Sequence, residues 1–316
     1  MPSKIELEQA EGRYVSLRLL ALKSSPIKGD FDFQHMQAIH QYLFQDLGKV
    51  SPFHQNKYSP GEFRQEVPYD EVHVKQRHLK KLALLSEVIY SNMDKLIMQE
   101  TADYLKDALE IDKLKQMDTQ AFSKRIANVY AQLDFLHPFK EGNSRTLREF
   151  TREIGLTAGF DLHWEKVSQN DKARDLLYAA RDIEVNKIAL SVEEDEPTRK
   201  DISHFLSALQ AKKTKSLQEI VEENIEKLGM EKIAKMDAAE IKQKIEEQKK
   251  VSMAMKKAIA IGENEFEYNN KRYVKQGNVF AETEKNPEQK KALSPKEKLQ
   301  QEMVNKQKNL NKGREI

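Results

Sequence analysis

The chain has 316 residues, 39% hydrophobic and 33% charged, with no cysteine. That allows a sizeable core and excludes a disulfide scaffold, a thiolate zinc site, an iron–sulfur cluster and a cysteine nucleophile. With 53 Lys+Arg against 51 Asp+Glu the net charge is only +2, so no global field argues for nucleic acid. No apolar stretch reaches the roughly 20 residues that cross a bilayer, and MPSKIELEQAEGRY lacks the apolar core of a secretory signal. The expectation is a soluble, cytoplasmic protein with no nucleic-acid and no membrane partner.

In chain order, IELEQAEGRYVSLRLLAL predicts an amphipathic helix with Ile5, Val15, Leu17, Leu20 and Leu22 facing inward. Pro26 and Gly29 break the chain after it. Asp32 then reads as the N-cap of FQHMQAIHQYLFQDLG, with Gly48 as its stop. Two prolines and two glycines make residues 48–67 a long loop running into a short strand or hairpin. VKQRHLKKLALLSEVIYSNMDKLIM reads as one helix with an apolar face. Asp118-Thr119 opens the next helix, another follows Gly142, and a third covers DKARDLLYAARDIEVNKIAL. His35 and His40 read as packing histidines and Trp164 as core. His73 and His78 are five residues apart, off a common helix face, and suggest no metal.

Composition shifts near residue 190, which divides the chain into three parts. Residues 1–190 are expected to form one domain, the one that carries the chemistry described below. Residues 191–281 form a charged, mostly helical appendage, with a small hairpin in EFEYNNKRYV turning at Asn269-Asn270. Residues 282–316 are expected to be a disordered or conditionally helical basic tail. Its last dozen residues, NKQKNLNKGREI, carry four basic groups against one acid. A soluble tail is the main reading of them, and an export address for a type IV secretion route the minority one.

The chemistry concentrates in His137–Arg148, HPFKEGNSRTLR. Pro138 ends the preceding helix, and Glu141-Gly142-Asn143 is turn chemistry before the next. The free amides of such a turn and helix start cradle phosphate oxygens. Arg145 and Arg148 lie three apart on one helix face and carry forks suited to phosphate. Glu141 beside phosphate implies a cation between them, which fits Mg²⁺. His137, at the edge of the cradle, is the group best suited to take a proton at neutral pH. Together they imply transfer of a phosphorus-containing group to a hydroxyl, without a P-loop or a kinase glycine loop.

His137–Arg148 resembles the motif of the Fic family, HPFx(D/E)GN-x-RxxR, with every fixed position filled. IANVYAQLDFLHPF, SSPIKGDFDFQHMQAIHQYLFQDLG and GLTAGFDLHW resemble the surrounding family segments, so the likeness covers roughly residues 10–190. The resemblance implies a mainly α fold: a Fic-type helical core with a short β-hairpin flap, followed here by the charged helical appendage. It implies a protein adenylyltransferase that moves AMP from ATP to a Ser, Thr or Tyr hydroxyl of a target protein. His137 would be the general base and Glu141 would hold Mg²⁺. Gly142, Asn143 and Ser144 would line the anion hole, Arg145 would meet the β-phosphate and Arg148 the γ-phosphate.

Ser144 stands where the family usually has Gly and the Doc branch has Lys, so adenylyl transfer is favoured over Doc-like protein phosphorylation. Use of another nucleotide and a non-catalytic nucleotide-binding adaptor are the remaining alternatives. The family's target-docking flap aligns with Gly61, Glu62, Phe63 and Arg64. Many relatives are restrained by (Ser/Thr)xxxE(Gly/Asn), whose Glu pairs with the second motif arginine. Here Glu11-Gly12 has Leu7 four residues earlier, and neither Glu223-Asn224 nor Glu263-Asn264 matches. The expected inhibitor is therefore a separate antitoxin-like chain.

Overall fold

The computed structural model describes residues 4–68, 71, 73–228, 265–268, 271–276 and 279–283. It divides into two units, Met1–Met253 and Ala254–Ile316.

In the first unit, α1 (Lys4–Ser24), α2 (Phe33–Phe44) and α3 (Pro52–Tyr58) precede a hairpin of β1 (His73–Leu79) and β2 (Leu84–Tyr90). α4 (Lys95–Ala108), α5 (Ile111–Lys115), α6 (Thr119–Leu136) and α7 (Asn143–Ala158) follow. The unit continues with β3 (Phe160–Leu162), α8 (Asp171–Val192), α9 (Glu196–Gln210), α10 (Leu217–Glu223) and β4 (Ile225–Lys227). The fold is mainly α with small antiparallel sheets.

α6 is the axis of this unit. Asp118 caps it by accepting from the Ala121 amide at 2.7 Å. Phe122, Ile126, Val129, Tyr130, Leu133 and Leu136 are wholly buried against α4, α7, α8 and α10. Pro138 disfavours the α conformation at His137. The chain leaves the helix there through a left-handed residue, φ 48° and ψ 57°. Asp32 caps α2 as expected, accepting from the His35 amide at 2.8 Å. That helix ends at Phe44, and Gly48 lies inside a following 3₁₀ turn rather than stopping it. In α1, Val15 and Leu22 are buried, while Leu17 and Leu20 are only half-buried.

Three expectations are corrected. Residues 48–67 are not one loop, because Ser51 caps a short helix with Pro52 at its first position. The segment beginning VKQRHLKK is not one helix. It is the β1–β2 hairpin followed by α4, with His73 opposite Tyr90 and Leu79 opposite Leu84. Burial alternates residue by residue along β1, but its inward side chains include His73, Lys75 and Arg77, so no apolar period advertised a strand. Finally, the first unit does not end near 190. α9 buries Ile202 and Leu209, α10 buries Leu217, Ile220 and Val221, and β4 pairs with β3. The apolar residues of this charged segment are few but fall at helical spacing, which is enough to dock both helices.

The second unit contributes β5 (Glu265–Tyr268), β6 (Lys271–Gln276) and β7 (Val279–Thr283), antiparallel in that order. The expected hairpin on either side of 269–270 is present and gains a third strand. Of the tail expected from 282, Glu282 and Thr283 belong to β7, and residues from 284 onward lie outside the described residues.

Candidate active site

The motif loop runs from the end of α6 to the start of α7, and its framework is built by side chains from distant elements. Asn143 is buried, and both ends of its amide are spent on the loop. Its Oδ1 accepts from the Phe139 amide at 2.9 Å and its Nδ2 donates to the Phe139 carbonyl at 2.6 Å. Its side chain therefore braces the loop, and the group it can still offer an anion is its backbone amide at the helix start. His40 of α2 donates from Nε2 to the Glu141 carbonyl at 2.9 Å, while its Nδ1 accepts from the Gly61 amide at 2.9 Å. Those two bonds fix one neutral tautomer. Burial lowers the His40 pKa to about 4, and the ring stacks on Phe139 with centroids 3.8 Å apart.

Gly61–Arg64 is not a strand, and the hairpin lies later in the chain. Arg64 is buried. Its Nε donates to the His137 carbonyl at 2.8 Å, and its terminal amines donate to the carbonyls of Ser91, Leu136 and Gln65. Burial lowers its pKa to about 10. Glu62 is exposed and Phe63 half-buried, the latter packed edge-on to Phe33 and tilted against Phe139.

Gly142 is the N-cap of α7 with φ 87°. A Cβ there would lie 2.4 Å from two atoms of the Phe44 ring, so the position needs glycine on two counts. Gly142→Ala is expected to cost about 3 kcal/mol through overpacking and left-handed strain. Thermal unfolding and nucleotide titration would check it, and an unchanged Tm would contradict the close approach. Ser144 is half-buried with its hydroxyl 3.3 Å from the Tyr130 hydroxyl. Arg145 and Arg148 project from the first two turns of α7. The Nε of Arg148 donates to the Ser144 carbonyl at 3.1 Å.

His137 is 5% exposed, stacked on Tyr90 at 3.9 Å and edge-on to His73 at 5.7 Å. Its Nε2 accepts from Lys75 Nζ at 3.0 Å, which brings β1 directly over the imidazole. Burial holds the His137 pKa well below its ordinary value, and Lys75, Arg77 and Arg64 push the same way. Behind the ring lies a buried ionic cluster. Asp134 pairs with Arg181, Arg77 with Asp182, and Ser86 donates to Asp182 at 2.6 Å.

Sequence reasoning did not single out Lys75, Asp134 or Glu11 as site residues. Lys75 was hidden in the misread helix. Asp134 lies in the last turn of α6, three residues before His137. Glu11 had been set aside because Leu7 breaks the restraining pattern, yet its carboxylate lies 3.2 Å from Arg145. Tyr58 donates to the same carboxylate and accepts from Arg145. The partner of Glu11 is the first motif arginine and not the second.

Glu141 is half-buried. Among the described residues no cluster of three or more His, Asp or Glu could hold a metal by itself. One carboxylate beside a phosphate cradle nevertheless suits Mg²⁺, which takes one or two protein carboxylates and shares the rest of its shell with phosphates and water. Among the described residues, no helix is long and apolar enough to cross a membrane.

Residues 30–154 match the model of the Fic/DOC family. Over 168 residues the chain is 29% identical to protein adenylyltransferase VbhT of Bartonella schoenbuchensis, covering 53% of this chain and 30% of that one. It is 24% identical over 164 residues to a probable protein adenylyltransferase Fic of Escherichia coli, covering 52% and 68%. The chain thus spans less than a third of VbhT. Among solved structures, the BepC effector of Bartonella tribocorum with bound AMPPNP aligns over 72% of this chain and 90% of its own. Its TM-score is 0.46 at 16% identity, too distant to bear on ligand or activity. It is the segment 30–154 of this chain that is similar to the Fic/DOC family.

Proposed function

We propose that this protein transfers AMP from ATP to a hydroxyl of a target protein. The observation that carries the reading is one juxtaposition. A histidine sits at the lip of a glycine-capped helix start, with two arginines in the helix's first two turns. The family relatives bearing the name protein adenylyltransferase support it. Ser144 brings no positive charge where a phosphoryl-transfer variant would carry Lys.

In this reading His137 accepts the proton of the acceptor hydroxyl as its oxygen attacks the α-phosphorus. The bond from that phosphorus to the bridging oxygen breaks, and pyrophosphate leaves. The backbone amides of Gly142, Asn143 and Ser144 hold phosphate oxygens at the positive end of α7. Arg145 and Arg148 neutralise the β- and γ-phosphates, so the chemistry rests on positioning and charge. Glu141 would hold Mg²⁺, which when bound neutralises charge developing on the phosphates.

The test is incubation with Mg²⁺, a lysate and ATP labelled at either the α- or the γ-phosphate. Label retained from the α position alone supports the reading, and label from the γ position alone overturns it in favour of phosphorylation. Regulation by a separate antitoxin-like chain remains part of the proposal, but Arg145 is already engaged from within by Glu11. A phosphate must displace that carboxylate. Glu11→Gln keeps the shape and removes the charge, so it should tighten nucleotide binding about fivefold, the worth of one partly exposed ion pair. Calorimetric titration of ATP would measure it, and an unchanged Kd would show that the two do not compete.

A further inference from the structure

The contact of Lys75 with His137 determines more than closure. A lysine ammonium has hydrogens to give and no lone pair to offer. Because Lys75 Nζ lies 3.0 Å from Nε2, that nitrogen is the acceptor, and in the neutral ring the proton resides on Nδ1. Nδ1 is buried with the Asp134 backbone carbonyl near it but no well-formed hydrogen bond, and it faces Asp134 Oδ1 at 3.7 Å. Asp134 is 0% exposed, and neither of its oxygens accepts a hydrogen bond. Arg181 approaches Oδ2 at 2.8 Å as an ion pair without hydrogen-bond alignment. Two unsatisfied buried groups of opposite kind thus face each other across less than 1 Å of excess distance, in a protein interior where such groups are rarely left unpaired.

We infer that Asp134 is a positioning residue for His137: its carboxylate takes the Nδ1 proton, keeps the Nε2 lone pair aimed at the acceptor hydroxyl, and is itself held by Arg181. This rests on the activity proposed above. When Nε2 receives the proton from the hydroxyl, the imidazolium that forms has a carboxylate behind it, and the rest of the transfer is unchanged. A 3.7 Å separation is the looseness expected of catalytic pairs before substrate is bound.

The groups around this pair come from every element packed on it: Lys75 and Arg77 on β1, Tyr90 on β2, Arg181 and Asp182 on α8, and Tyr130 on α6. Arg64 and His73 face the imidazole. Burial raises the Asp134 pKa to about 7, against the pull of Arg77 and Lys75. The carboxylate form needed behind His137 is therefore present above about pH 7. Below that range Asp134 takes up a proton and the support for His137 is lost.

Two measurements on the full chain decide it. In histidine-labelled protein at pH 8, with His137 assigned by its absence in His137→Ala, the ¹⁵N shifts should report hydrogen on Nδ1. Hydrogen on Nε2 overturns the inference, and this readout needs neither activity nor an Asp134 variant. In Asp134→Asn, kcat should fall at least tenfold with the KM for ATP unchanged within twofold. The acid limb of the wild-type kcat profile near pH 7 should disappear. An unchanged kcat or an unchanged limb overturns it as well. If the wild type transfers nothing from any nucleotide, the proposed activity has failed, and the His137 ¹⁵N shifts in Asp134→Asn decide the pair: they should move, and unchanged shifts overturn the inference.

Discussion

His137→Ala is expected to remove the proposed transfer while leaving nucleotide binding in place. The loss expected from deleting a positioned general base is about 10²–10⁴ in kcat. The same variant should bind ATP within about twofold of wild type. The cradle does not depend on the imidazole: Gly142 is shaped by its own φ of 87°, the loop is braced by Asn143, and the Glu141 carbonyl is held by His40. Replacing the ring also leaves the backbone bonds of that turn intact, since Arg64 grips the residue by its carbonyl. Single-turnover transfer with labelled ATP, run beside calorimetric titration of nucleotide, separates the two effects. Parallel loss of binding and transfer would assign His137 a structural role instead.

Arg64→Ala should be the most damaging substitution away from the reacting atoms. Its guanidinium ties together Ser91 after the hairpin, the last turn of α6 and the motif histidine's carbonyl. Among the described residues no carboxylate pairs with it, so its charge is balanced by carbonyl dipoles. Truncation strands those oxygens in a buried site. Part of the loss is returned, because burying the cation was itself costly, as its lowered pKa of about 10 shows. The balance is about 3 kcal/mol, since a buried hydrogen bond from a charged donor is worth about 1.5–3 kcal/mol. For a unit of this size that corresponds to a fall in Tm of about 6–12 °C. Arg64→Lys should recover little of it, because a compact ammonium cannot reproduce the planar fork that reaches these carbonyls. Unfolding monitored by circular dichroism gives the stability loss, and a Tm within 2 °C of wild type would refute the clamp.

The contrast between Arg64 and the hairpin shows where sequence reasoning reaches and where it stops. Capped helices were legible because their signals are local. Asp32 and Asp118 stand directly before their helices, and Gly142 before α7. The motif was legible because its residues are contiguous. The hairpin was not, since strand periodicity is normally seen through alternating apolar residues. In β1 the inward side chains include His73, Lys75 and Arg77, while Val74 is exposed. That inversion makes sense only once Asp134 and Asp182 are known to lie beneath the strand, and they come from α6 and α8, far along the chain. The same non-locality hid Glu11, which is 134 residues from Arg145. The charged segment after 190 was misassigned for a different reason: composition was weighed above the few apolar residues that dock α9 and α10.

Lys75 on Nε2 also changes how acceptors would be selected. In the proposed reaction the base is already occupied by a ligand that the protein carries itself. Any incoming hydroxyl competes with that resident amine, so its apparent affinity is scaled down by the fraction of molecules in which β1 has released the ring. Free serine, threonine or tyrosine offers nothing to shift this fraction. A folded partner that engages the exposed face of β1, where Val74 lies open to solvent, can draw the strand away as it binds. Discrimination would then be exercised by the partner's grip on the strand and only weakly by the residues flanking the modified hydroxyl. Short peptides copied from a true target would be poor acceptors.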